Sequence, residues 1–133
     1  MSVDLKKQQT DYGFLRFFAE NVNVPCTDVD QIVHDRAGNP VAIIESTHCY
    51  TRPSNPGYQR ALDERMNGSL QKRTVLKVAA ALGVPAYWVT FTPDFLAFGI
   101  RRLDAEYAWE ARWITYTQEQ FLDWVHQLKT VAA

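Results

Sequence analysis

Apolar residues at Phe14, Leu15, Phe17 and Phe18 recur with helical spacing and predict a helix over 10–21, with Thr10 or Asp11 as its N-cap. Pro25 closes that connection. The β-branched residues Val29, Ile32 and Val33 predict a strand over 26–34. A turn by composition, Asp35-Arg-Ala-Gly-Asn-Pro40, leads into a second strand over 41–47, so the two read as a β-hairpin. A loop with Pro53 and Pro56 follows, then a helical region over 58–82 interrupted at Asn67-Gly68, where Ser69 can cap the second half. In that half Val75, Val78, Ala79 and Leu82 form an apolar stripe, and Gly83 suits the C′ position. Strands are predicted over 86–92 and 96–103. A closing amphipathic helix is predicted over 117–131, where Thr117 and Gln120 make a capping box. The order α-β-β-α-β-β-α describes a sheet with helices against it.

Composition narrows the class without naming a function. The 133 residues are 47% hydrophobic and 13% aromatic, which suits one folded domain over 1–133, with residues 1–9 as a flexible N-terminus. No apolar run approaches the ~18 residues that span a bilayer, so no membrane partner is expected. Met1 to Thr10 lacks the apolar core of a signal peptide. Cys26 and Cys49 are the only cysteines, too few for a disulfide framework and not spaced as a zinc site. A reduced, cytoplasmic setting is the expectation. The net charge of −1 is unevenly spread. Between 52 and 77, six basic residues (Arg52, Arg60, Arg65, Lys72, Arg73, Lys77) face only Asp63 and Glu64. Such a segment fits a phosphate-facing surface on an acidic body, or simply a solvated helix face.

The hairpin carries the candidate chemistry. With the turn centred between Ala37 and Gly38, Asp30 falls opposite Glu45 and Asp28 opposite Thr47. Residues two apart in a strand share a face, so Asp28, Asp30, Glu45 and Thr47 converge on one patch. Opposed carboxylates repel unless a positive charge lies between them, and a hard divalent cation would resolve that conflict. A slip of one residue would dismantle the arrangement.

Thr27-Asp28-Val29-Asp30 followed by Val41-Ala-Ile-Ile-Glu45-Ser46-Thr47 resembles the PD-(D/E)XK (restriction-endonuclease-like) superfamily, in which a strand-borne aspartate precedes an apolar strand ending Glu-x-Lys. The resemblance covers roughly residues 10 to 92. It implies a restriction-endonuclease-like core, a central mixed β-sheet flanked by helices. It also implies a metal-dependent endonuclease or nickase. On this view Asp30 and Glu45 hold Mg²⁺ or Mn²⁺, which activates water and stabilises charge on the scissile phosphate. Asp28 or Glu20 completes the ligand shells, Glu20 standing where many of these nucleases place an additional acid. The family lysine falls at Thr47, which has no ammonium to offer a transition state. Some relatives supply that group from the following helix, where Lys72 is the candidate and Gln71 the milder option. The partners implied are nucleic acid, chiefly DNA, and a second copy of the chain. If catalysis is lost, a nucleic-acid-binding or protein-binding module remains.

Plainer readings stand beside these. Asp28 fits a turn or strand start, Asp30 and Glu45 fit a solvated edge, and His48 fits a polar surface residue. Trp109 and Trp113, four apart, fit one helix face or an exposed binding platform. Residues 69–85 also resemble a helix of small repressor-type helix-turn-helix domains, but the strand predicted directly after them is a poor continuation for an all-helical repressor.

Overall fold

The computed structural model describes residues 29–103 and 112–131, together with Phe17, Glu20 and Asn21. Those three are helical, and the Asn21 side chain donates to the Phe17 carbonyl at 2.8 Å, consistent with the helix expected over 10–21. The rest of that helix, residues 1–9, Cys26, Asp28 and Trp109 lie outside the described residues.

The first hairpin pairs β1 (Gln31–His34) with β2 (Pro40–His48). Its turn is built by Asp35, whose Oδ1 accepts the Ala37 and Asn39 N–H groups, both at 2.9 Å, while Gly38 takes the left-handed conformation with φ 86°. The register is Gln31↔Ile44, Ile32↔Ile43 and Val33↔Ala42, as the turn centre predicts. It shifts only at His34↔Pro40, where a bulge absorbs one residue. The strand expected from 26 starts later in the described chain, at Gln31, so Asp30 stands just before it.

The crossover to β3 (Ala86–Phe91), which runs parallel to β2, contains two helices. The first, α1 (Pro56–Met66), has Asn55 as N-cap and proline in its first turn. The second, α2 (Leu70–Leu82), has Ser69 as N-cap and left-handed Gly83 at its end, as anticipated. A fourth strand, β4 (Ala97–Arg102), is antiparallel to β3, and β5 (Ile114–Thr117) is antiparallel to β4. The sheet order is β1-β2-β3-β4-β5. The last helix, α3 (Gln118–Val131), opens with the reciprocal capping box: the Thr117 N–H donates to Gln120 Oε1 at 2.9 Å, and the Gln120 N–H donates to Thr117 Oγ1 at 3.2 Å.

The described residues therefore form an α/β fold, a five-stranded mixed sheet with helices against both faces. One face packs Ile43, Ala86 and Trp88 against Leu62 and Met66 of α1 and Val75 and Ala79 of α2. The other packs Ile44, Val89, Phe98 and Ile100 against Phe121, Trp124 and Leu128 of α3. Two details differ from the pattern reading. Leu82 is 41% exposed, because the stripe of α2 turns away from the sheet in its last turn. Trp113 is not helical and lies just before β5, its ring centroid 5.8 Å from that of Trp88. Among the described residues no helix is long and apolar enough to cross a membrane.

Candidate active site

Continuing the hairpin register one step beyond Gln31↔Ile44 sets Asp30 against Glu45, and the hydrogen bonds hold the two together. The Asp30 N–H donates to Glu45 Oε1 at 3.2 Å. In return Asp30 Oδ2 accepts the Ser46 N–H at 2.8 Å and lies 3.4 Å from the Ser46 hydroxyl. From the opposite side Gln71, in the first turn of α2, donates its Nε2–H to Glu45 Oε2 at 2.8 Å. Alternation along β2 turns Glu45 to the same side of the sheet as Ile43, toward α1 and α2.

Burial decides the chemistry of this group. Glu45 is 1% exposed, whereas Asp30 is exposed. Loss of water is the largest influence and pushes the Glu45 carboxyl up to about 7. The Asp30 N–H works against this, the Asp30 carboxylate adds to it, and Gln71 again opposes it. The neighbours in register are Trp88 on β3 and, beyond it, Arg101 on β4. Arg101 is also buried, but its charge is committed elsewhere: Nε lies 3.0 Å from Asp63 Oδ1, within ion-pair distance though without the angle of a hydrogen bond. The same Asp63 oxygen accepts the Trp113 indole N–H at 2.9 Å. Among the described residues no cation forms an ion pair with Glu45.

Comparison with protein-family models, curated proteins and solved structures finds no match.

The other candidate residues distribute unevenly. Thr47 is half-buried, on the same side of β2 as Glu45, and pairs in register with Thr90. Lys72 is half-buried and its backbone N–H is held by Ser69 Oγ at 3.1 Å, but among the described residues its ammonium makes no ion pair. Of the two options offered by α2, Gln71 is the side chain that reaches Glu45. The signal was present in the sequence, because Gln71 precedes the buried Val75 and Ala79 by one and two helical repeats of four. Glu20 is helical and exposed, and Asp28 lies outside the described residues. The described residues thus supply a pair of carboxylates, with no cluster of three metal-ligating side chains.

Arg52, Arg60, Arg73 and Lys77 are exposed, as a phosphate-facing surface requires. Arg65 is exposed as well, but its guanidinium lies over the Trp88 ring, 6.0 Å from the centroid, so part of its charge is directed at the core. A polar tie that the residue pattern did not signal closes the end of the sheet. The Tyr58 hydroxyl donates to the His48 carbonyl at 2.8 Å and lies 2.9 Å from Thr90 Oγ1, and burial raises its pKa.

Proposed function

We propose that this chain is a metal-dependent nuclease of PD-(D/E)XK type, in which Asp30 and Glu45 hold Mg²⁺ or Mn²⁺. One observation carries the reading: a carboxyl buried to 1% exposure, opposed by a second carboxylate and unpaired with any described cation. An isolated buried charge is costly, so Glu45 is either protonated or partnered by a cation. The residues fit such an ion, because Mg²⁺ commonly takes one or two carboxylates and completes its shell with water and substrate phosphate. When bound, it would supply an activated water and a counter-charge for the phosphate. Asp30 faces solvent and admits the substrate. Gln71 and the Asp30 N–H each fix one oxygen of Glu45, holding the carboxyl in one orientation. The strand-helix-strand crossover behind the hairpin and the mixed sheet agree with a restriction-endonuclease-like core.

The absence of a motif ammonium favours a second reading. Thr47 stands where the family carries lysine, and Lys72 makes no ion pair with the described carboxylates. A chain of this kind would bind nucleic acid through the 52–77 segment without cutting it. Incubating purified protein with DNA and RNA substrates, with Mn²⁺ or Mg²⁺ against EDTA, separates the two. The nuclease reading expects metal-dependent cleavage that Glu45→Ala abolishes while leaving the fold intact. Cleavage by Glu45→Ala at the parental rate would refute the site. Binding that is salt-sensitive, with no cleavage under any metal, would establish the second reading.

A further inference from the structure

Four aromatic side chains stand in series at the carboxyl ends of β2 and β3. Tyr50 stacks on His48 with centroids 6.2 Å apart and planes 28° apart. His48 meets Phe91 at 4.7 Å, and Phe91 stacks on Phe95 at 5.4 Å and 11°. The outer members face water: Tyr50 is 89% exposed, Phe95 52%, and Leu96 beside it 61%.

Phe91 packs against the core of Ile44, Val89, Phe98 and Ile100, but burial does not explain the outer rings, and the backbone makes Phe95 less explicable as packing alone. Among the described residues Phe95 is the one non-glycine with positive φ, 60°. For a bulky residue that conformation is strained, which glycine would avoid. The turn nevertheless enforces it. The Phe95 N–H donates to the Thr92 carbonyl at 2.9 Å, Asp94 Oδ1 accepts from Thr92 Oγ1 and the Leu96 N–H, and Gln118 Nε2 donates to the Phe95 carbonyl at 3.0 Å. A strained backbone displaying a half-exposed ring suggests that the ring itself is used.

At the other end of the series the loop carrying Tyr50 is equally fixed. The Cys49 N–H donates to the Phe91 carbonyl at 2.8 Å, and the Asn55 N–H to the Arg52 carbonyl at 2.9 Å. Pro53 is buried against Gly99. Exposed Arg52 lies two residues from Tyr50 and opens the basic segment, while Asp94 is the acid nearest in sequence at the other end. Flat exposed rings with an exposed arginine two residues along the chain suit a nucleobase on a phosphate backbone, because every base offers a π-face to stack. Bases inside a duplex are already stacked on one another, so only unpaired ones are available to these rings.

We propose that the Tyr50–His48–Phe91–Phe95 series is a stacking platform for unpaired nucleotides, which makes single-stranded or tailed nucleic acid the substrate class. It rests on the nucleic-acid reading above. His48 is three residues beyond Glu45 along β2, so alternation turns it to the opposite face of the sheet, and a strand stacked here reaches the carboxylate pair by crossing the end of the sheet.

Fluorescence anisotropy in EDTA, with labelled single-stranded and blunt duplex oligonucleotides of one sequence, tests it. The 133-residue chain should bind the single strand more tightly than the duplex. Tyr50→Ala and Phe95→Gly should each weaken single-strand binding by about fivefold or more and leave duplex binding unchanged, while Tyr50→Phe matches the parent. Phe95→Gly also relieves the backbone, so it should stay folded. Parental single-strand affinity in both truncated variants, or an equal loss on duplex and single strand, would overturn the platform. So would a parent that binds no oligonucleotide, an outcome that points to a protein contact instead. Binding in EDTA needs no metal, so metal-dependent cleavage remains a separate test of the nuclease reading.

Discussion

Burial takes water away from Glu45, and the hydrogen bonds from Asp30 and Gln71 return only part of that solvation. Its carboxyl therefore keeps its proton to about 7 when folded, against an ordinary value of 4.5. In this range the native state binds more protons than the unfolded chain, so the contribution is fully present below about pH 4.5 and is lost as pH rises through about 7. Metal-free protein should accordingly lose stability across this interval, on the order of 1–2 kcal/mol after screening by the solvent around Asp30. Urea unfolding of the parent and Glu45→Gln at several pH values checks this, and the variant should show a flatter profile. Gly99 is a second residue with a sharp expectation. A Cβ there would meet Thr90 Cγ2 at 2.9 Å and Pro53 Cβ at 3.2 Å, so Gly99→Ala should cost about 1–3 kcal/mol in the same assay. The Asp30–Glu45 opposition was legible because one turn centre fixes a whole hairpin register. The Arg101–Asp63 pair was not, since it joins β4 to α1 and no local spacing announces it.

Helix α2 connects its own stability to the site. Ser69 Oγ accepts the Lys72 N–H and fixes the turn from which Gln71 reaches Glu45. Removing that cap by Ser69→Ala should cost about 1 kcal/mol and weaken Mn²⁺ binding as well. At the far end, Gly83 adopts φ 69°, and Gly83→Ala should cost about 1 kcal/mol while leaving Mn²⁺ binding unchanged. Denaturation and calorimetry on both variants distinguish support of the site from general stability. The break at Asn67-Gly68, both α2 caps and the Thr117–Gln120 box were readable because each is local chemistry within a few residues. Strand β5 was missed although Ile114, Thr115, Tyr116 and Thr117 all favour strands. It is four residues long and runs straight into a helix cap, so no alternation had room to develop.

At the scale of the molecule, the α/β class followed from strands alternating with helices, but the order of the sheet depends on pairings between distant segments. The charge asymmetry leads to its own expectation. If nucleic acid lies along the 52–77 segment, log affinity should fall linearly with log salt, by about 0.7 for each phosphate neutralised on a single strand and about 0.9 on a duplex. Arg52→Ala and Arg73→Ala should each lower that slope by about 1. Arg65→Ala should change it less, because its guanidinium lies over Trp88. Anisotropy titrations across a salt series measure these slopes.

The central claim is that Asp30 and Glu45 form a metal site, and calorimetric titration of Mn²⁺ into metal-free protein at about pH 8, above the Glu45 transition, tests it most directly. The account predicts saturable binding by the parent, lost in Glu45→Gln and Asp30→Asn variants that remain folded. Parental binding in both variants, or no binding by the parent even with an oligonucleotide present, would contradict it.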